Sequence, residues 1–429
     1  MFNNISELRR CNRRLLEALA IRKREQAPLI QWIGDVFVAN AADLRNAYPA
    51  YVSHLERAEK RLQEEIRSND RMRLFLEDCQ EEDPTPLQQL LHLPSKRLAA
   101  YPKILESILH ETERSSPDCD SLKEAIQLMR RLGTVTLLRT IQLNGGKGGA
   151  SWHELVSLEI KQSVPKKETQ RQAIIFELIQ TEADYVRDLE LISTLFIRPI
   201  CTIAPPIINR ERTSEFIQAV FYNINELLEY NRKLLDDLHA MQREEHPFVR
   251  SISVPMLDAA LNWRDAYMEY ITHYPIALYN LEEEIANNPA FRQFVEEAKD
   301  VPEARKLDIR SFINRPIPRL LKYELILKTM LSDTPPDHDD QAELTQIIDI
   351  LKDLSLTSEQ GAVASKRKVD LWRYSTDLIF GPGDHVQLEL GDETRMIVHA
   401  SQMMLNPRAV TGWGEVFVIL FDHYREWYE

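Results

Sequence analysis

With 67 acidic against 53 basic residues, the 429-residue chain has a formal charge of −14 and lacks the basic footprint that non-specific nucleic-acid binding requires. Only 12 glycines, set among long Leu/Glu/Arg/Lys-rich stretches, favour an all-helical body over a sandwich or an α/β fold, and the length suggests two or three domains. Cys11, Cys79, Cys119 and Cys201 form no CxxC pair, MFNNISELRR is no signal peptide, and no apolar run reaches membrane-spanning length, so the expected setting is cytoplasmic with reduced thiols.

In chain order, amphipathic helices are predicted over 1–19, 41–66, 86–112 and about 120–143. The run NGGKGGAS (Asn144–Ser151) follows. Lys147 there precedes Gly148 rather than Ser or Thr, and no strand comes before it, so the run fails as a phosphate loop and reads as a linker. Residues 152–167 are mixed and partly charged. Helical pattern resumes over 168–196, 212–238, 253–288, 289–301, 316–331 and 338–368. Near Tyr374 the character changes: 385–390 alternates, 395–400 is strand-like and EVFVILFD (415–422) is an apolar β run.

The helical part repeats itself. FNNISELRRCNRRLLEAL from Phe2 lies over FYNINELLEYNRKLLDDL from Phe221 at a lag of 219, pairing Ile5 with Ile224, Asn12 with Asn231, Arg13 with Arg232 and Leu16 with Leu235. The same lag pairs Tyr48 with Tyr267 and Tyr51 with Tyr270. With three residues added, Pro94, Arg97, Tyr101 and Ile104 fall on Pro316, Arg319, Tyr323 and Ile326. A period near 220 describes a duplicated domain rather than a solenoid. The later copy is preceded by the helix 168–196, with no counterpart before Met1. A bundle short of one wall is expected to leave an apolar groove.

The stretch SFINRPIPRLLKYELILKTML (Ser311–Leu331) opens with Pro316 and Pro318, which the first turn of a helix tolerates. Leu320, Leu321, Leu325, Ile326, Leu327, Met330 and Leu331 make it apolar on most of its circumference, with Arg319 and Lys322 sharing the remaining polar strip. Pro335 and Pro336 stop it, and PPDHDD (335–340) reads as a polar turn whose acids open the next helix. Lys322 matches Ala100 of the earlier copy, whereas the packing residues persist.

KETQRQAIIFELIQTEADYVRDLELISTLFIRPI (167–200) resembles the first signature of the Dbl-homology domain, and Ser311–Leu331 resembles the third. LIFGPGDHVQLELGDETRMIVHA with EVFVILFDHY is similar to the start of a pleckstrin-homology domain, and the combination is most similar to fungal exchange factors for Rho GTPases. The resemblance implies a mainly α, elongated helical bundle over 168–373. It would follow a degenerate copy (1–143) and a linker (144–167), and precede a truncated antiparallel β domain (374–429). The implied function is release of GDP from a Rho-family GTPase, with no covalent chemistry and no cofactor. The alternative is a non-catalytic or autoinhibited GTPase-binding scaffold.

The resemblance also implies site residues. Glu177 of FELIQTE matches the glutamate that holds switch I, and it shares a helix strip with Thr181 and Asp184, apart from the apolar strip of Leu178, Tyr185, Leu189 and Ile192. Lys322 matches the switch II lysine; Arg319 either supports it or is structural, pairing within the bundle. Thr357 stands where the family usually carries an asparagine, and offers a shorter reach and no amide. In the β region only Arg395, Arg408 and Arg425 are basic, too few for a tight phosphoinositide site, so membrane binding is expected to be weak or absent, with recruitment to the cell cortex by other means. Among the 11 histidines there is no HExxH, and no serine sits in an elbow motif.

Overall fold

The computed structural model describes residues 3–82, 84–143, 151–156, 158–378, 390, 392, 395–405 and 414–422. The linker run 144–150, the alternating stretch 385–389 and the arginines at 408 and 425 lie outside them. The described chain is helical up to residue 377 and closes on an antiparallel hairpin, as composition and resemblance led one to expect. Contacts divide it into two compact units, one of residues 1–184 with 237–250, the other of 185–236 with 251–429.

The first unit holds α1 (Ile5–Glu25), α2 (Gly34–Val52), α3 (Leu55–Ser68), α4 (Asp70–Glu82), α5 (Leu87–Glu111) and α6 (Asp118–Leu143), then the short α7 (Trp152–Leu155) and α8 (Leu158–Gln162), and the first part of α9 (Lys166–Leu191). The sequence reading ran α2 and α3 together and missed α4. The chain breaks at Ser53–His54, where Ser53 caps α2. Leu8, Leu44, Tyr48, Tyr101, Leu105, Leu122 and Met129 form the core between α1, α2, α5 and α6. A smaller cluster packs Leu138 and Trp152 with Phe176 of α9.

Side chains of α9 tie down residues 249–250. The Gln172 amide donates to Val249 O at 2.7 Å and its carbonyl accepts from Val249 N at 2.9 Å. The buried Arg171 guanidinium donates to Arg250 O at 2.5 Å. Backbone groups that a loop would otherwise leave unsatisfied are thus paired.

Gly34 opens α2 directly on the start of α6. Its N–H donates to Asp118 Oδ1 at 3.0 Å, beside Ile33 N on Oδ2, also at 3.0 Å. A Cβ at Gly34 would lie 2.5 Å from Leu122 N and from Ser121 C, which are backbone and cannot swing aside.

The second unit continues with the end of α9, a π-helical stretch Ile192–Ile197, α10 (Arg198–Thr202), α11 (Arg210–Phe221) and α12 (Ile224–Glu245), whose last turns belong to the first unit. It then holds α13 (Ser253–Asn287), α14 (Pro289–Asp300), α15 (Ile309–Ile313), α16 (Pro316–Asp333) and α17 (Asp340–Asp377). The pattern predicted as one helix over 212–238 breaks at Tyr222, a non-glycine residue with φ of 45°. Polar caps place the starts: Asn288 accepts from Phe291 N and Asp308 from Ser311 N.

α13 and α17, of 35 and 38 residues, are each more than about 50 Å long and pack along one another, with α16 against both. Asp340, an acid of the polar turn expected to open the next helix, is the first residue of α17. It is fully buried at the start of α17 and accepts the Ser251 and Ser253 hydroxyls at 2.5 and 2.6 Å.

β1 (Ile397–Leu405) pairs with β2 (Gly414–Phe421), from Ile397 opposite Phe421 to Leu405 opposite Gly414, with an irregularity after Ile397. Phe421 packs on Leu371 and Leu390, which seats the hairpin against the end of α17.

Two measurements test this packing. Gly34→Ala is expected to lower stability by about 1–3 kcal/mol, read as a fall in Tm, because the α2–α6 approach must open. Burial holds His239 and His246 in the neutral form, each with its pKa pushed down to about 4, and the nearby Arg243 and Arg131 add to this. The unfolded imidazoles take protons near their usual pKa of about 6.5, so acid draws the equilibrium toward unfolding. Stability is therefore expected to fall as pH drops from about 6.5 to about 4, with a smaller fall in a His239→Gln, His246→Gln variant.

Candidate functional site

On α9, Ile175, Phe176, Leu178 and Ile179 are buried, which turns Glu177 and Asp184 to solvent. The strip of Glu177, Thr181 and Asp184 is thus a surface feature, although Thr181 is half-buried and its hydroxyl donates to Leu178 O at 3.1 Å within its own helix. Glu177 makes no hydrogen bond or ion pair among the described residues. One position round, Glu182 is fully buried, so neighbouring acids on the same helix have opposite surroundings.

On α16 the structure corrects the sequence reading at two points. Arg319 does not share a polar strip with Lys322. It is 6% exposed, and its guanidinium lies over the Tyr323 ring at 4.3 Å and near the Tyr185 ring at 5.6 Å. A residue three places on along a helix lies only about 60° round the axis, which suffices to cross from the buried to the exposed face. Leu321 and Leu325, expected in the core, are 55% and 65% exposed. They flank Lys322, which is exposed and has no hydrogen-bond or ion-pair partner among the described residues. The i, i+4 spacing of Arg319 and Tyr323 was the available sign of a stacked pair.

Thr357, on α17, is half-buried, next to the 53% exposed Leu356. The surfaces so defined carry the exposed charges of Glu177 and Lys322 and exposed leucine. Among the described residues no group of His, Cys, Asp or Glu is placed to hold a metal ion. What these surfaces can do is accept and donate hydrogen bonds to a partner and cover its apolar groups.

Comparison with known proteins gives these surfaces a family. A model of the RhoGEF domain matches residues 1–134 and 174–357. Rho1 guanine nucleotide exchange factor 1 of Schizosaccharomyces pombe is 29% identical over 275 residues, and RHO1 GDP-GTP exchange protein 2 of Saccharomyces cerevisiae is 28% identical over 328. These alignments take in 63% and 72% of this chain but only 20% and 24% of the relatives, so the chain spans about a quarter of their length or less.

Among solved structures, the DH/PH domains of p115-RhoGEF superpose with a TM-score of 0.53 at 23% identity, over 64% of this chain and 76% of that one. Human RhoA in complex with the DH/PH fragment of PDZRHOGEF contains a chain with a TM-score of 0.52 at 21% identity, over 63% of this chain and 78% of that one. At such identities the likeness establishes the fold. The match of the RhoGEF model over most of the sequence places this chain in the RhoGEF domain family.

Proposed function

We propose that this chain binds a Rho-family GTPase and accelerates GDP release by displacing switch I and its Mg²⁺. The observation that carries the reading is that Glu177 and Lys322, the two charges matching the family's switch-contacting residues, are exposed in the full chain and have no internal partner among the described residues. The relatives named as Rho1 exchange factors support the same substrate class.

No bond needs to be made or broken. A GTPase's switch loops are ordered by contacts to phosphate and Mg²⁺. A partner that binds the nucleotide-free arrangement more tightly shifts the equilibrium by that difference in affinity and by no more. The Glu177 carboxylate is suited to accept charge-assisted bonds from hydroxyl and amide groups of switch I. The Lys322 ammonium, on a flexible stem, can reach carbonyls and an acidic side chain of switch II. Leu321 and Leu325 beside it would exclude water from that contact, which strengthens its polar interactions. Thr357 contributes a hydroxyl at most.

With the full chain at micromolar concentration and a Rho GTPase loaded with fluorescent GDP, release is expected well above the intrinsic rate. Glu177→Ala and Lys322→Ala should each slow it by about 10- to 100-fold. Release no faster than intrinsic across a panel of Rho-family GTPases would refute the proposal. Arg319 is expected to act differently. Arg319→Ala should lower Tm by several degrees through loss of a desolvated cation–π stack of about 1–2 kcal/mol, whereas Lys322→Ala should leave Tm nearly unchanged. An Arg319→Ala variant with native Tm but lost exchange would assign Arg319 to the binding surface instead.

A further inference from the structure

Asp188, near the end of α9 and within the second unit, is 3% exposed, so its carboxylate has been taken out of water and needs cations around it. Two arginines of the same unit supply them. Arg315 places its Nε 2.9 Å from Oδ2, and the Arg305 guanidinium donates to Oδ1. Both arginine side chains remain partly exposed. One buried carboxylate thus ties two separate stretches of chain to α9.

The two stretches differ. Arg305 follows the 3₁₀ turn Pro302–Ala304 with φ of 54°, a left-handed setting that a non-glycine residue keeps only where its surroundings impose it. It lies in the loop before α15. Arg315 stands at the N-cap position of α16, where it makes no side-chain cap, and Pro316 and Pro318 behind it have no N–H to be capped. The start of the helix that bears Lys322 is therefore held by an ion pair to a neighbouring helix. Four residues on, Arg319 lies 5.6 Å from the ring of Tyr185, which precedes Asp188 by three residues on α9. The contacts run in opposite order along the two helices, about 6 Å apart along α16. Two such points fix both the slide and the rotation of α16, whereas one would leave it a pivot. A slip of one residue would turn Lys322 by about 100° round the axis.

We infer that Arg315, anchored on Asp188, is a positioning residue for nucleotide release: it sets the register of α16 and so the place from which the Lys322 ammonium reaches the GTPase. The inference rests on the exchange activity proposed above. Arg315 acts through Lys322 and makes no contact with the GTPase itself. Arg305 pairs with the same carboxylate from a loop that does not carry Lys322. The two arginines therefore separate the holding of α16 from the neutralising of a buried charge. Loss of either one leaves the other on Asp188, so no single substitution strands the carboxylate.

The experiment compares Arg315→Gln with Arg305→Gln in the full chain. Tm is measured for each, and release of fluorescent GDP from a Rho GTPase is followed well below the lowest Tm. Arg315→Gln is expected to slow release by about tenfold, because a small displacement of a contacting group is costly. Arg305→Gln should lower Tm at least as much and leave release within about twofold of the unmodified chain. In a Lys322→Ala chain, Arg315→Gln should add less than about twofold, since the group it positions is gone. The inference is overturned if Arg315→Gln leaves release unchanged, or if that variant does not fold, which would make the pair a support of the whole bundle. It is equally overturned if Arg305→Gln slows release as much, or if the losses from Arg315→Gln and Lys322→Ala multiply. In each of these cases the exchange reading stands. A chain that does not accelerate release, or in which Lys322→Ala is silent, overturns that reading and this inference together.

Discussion

The side chain of Asn231 is wholly withdrawn from solvent, so its amide and carbonyl must find partners inside the helical bundle. The amide donates to Leu227 O on its own helix at 2.7 Å, and the carbonyl accepts the Tyr323 hydroxyl at 3.0 Å. Tyr267 joins the same node and passes the connection to Tyr185. One side chain of α12 thereby sets the register of α13, α16 and the end of α9. Apolar packing alone tolerates a helix sliding or rotating by a residue, whereas a buried polar network is satisfied at one setting.

The orientation of α16 follows. With Tyr323 held on Asn231 and Arg319 stacked above it, one face of the helix faces the core, and Leu321, Lys322 and Leu325 turn outward. Lys322, the cation of the proposed binding surface, is exposed because Arg319, three residues earlier on that helix, is locked in. The two tasks are chemically distinct. A planar guanidinium suits a ring stack in a desolvated setting, and a mobile ammonium suits a moving loop.

The same node recurs around Asn12, with Arg97 over Tyr101 but with Ala100 where the later set has Lys322. What persists between the two sets is the packing machinery, and what is absent is the charge assigned to the GTPase. This division supports a reading of residues 1–143 as a relative of the bundle that kept its internal bonds and not its proposed GTPase contact. Its polar node borders a groove lined by Asn12, Tyr48, Pro94 and Arg97.

The sequence by itself determined the helical class, most helix starts, the repeat, and the family through its two long motifs. It also singled out Glu177 and Lys322, because proline and acid placement, apolar period and motif identity are local properties of the chain. It misplaced Arg319, Leu321 and Leu325, since a helix apolar nearly all round does not reveal which arc meets its neighbours. Nor could it foresee that Asp340 would be buried under two serine hydroxyls or that Gly34 would touch the backbone of α6. Those outcomes belong to tertiary structure alone. They depend on which groups, distant in the chain, arrive at the same place, and burial and hydrogen-bond partners exist only once they have arrived.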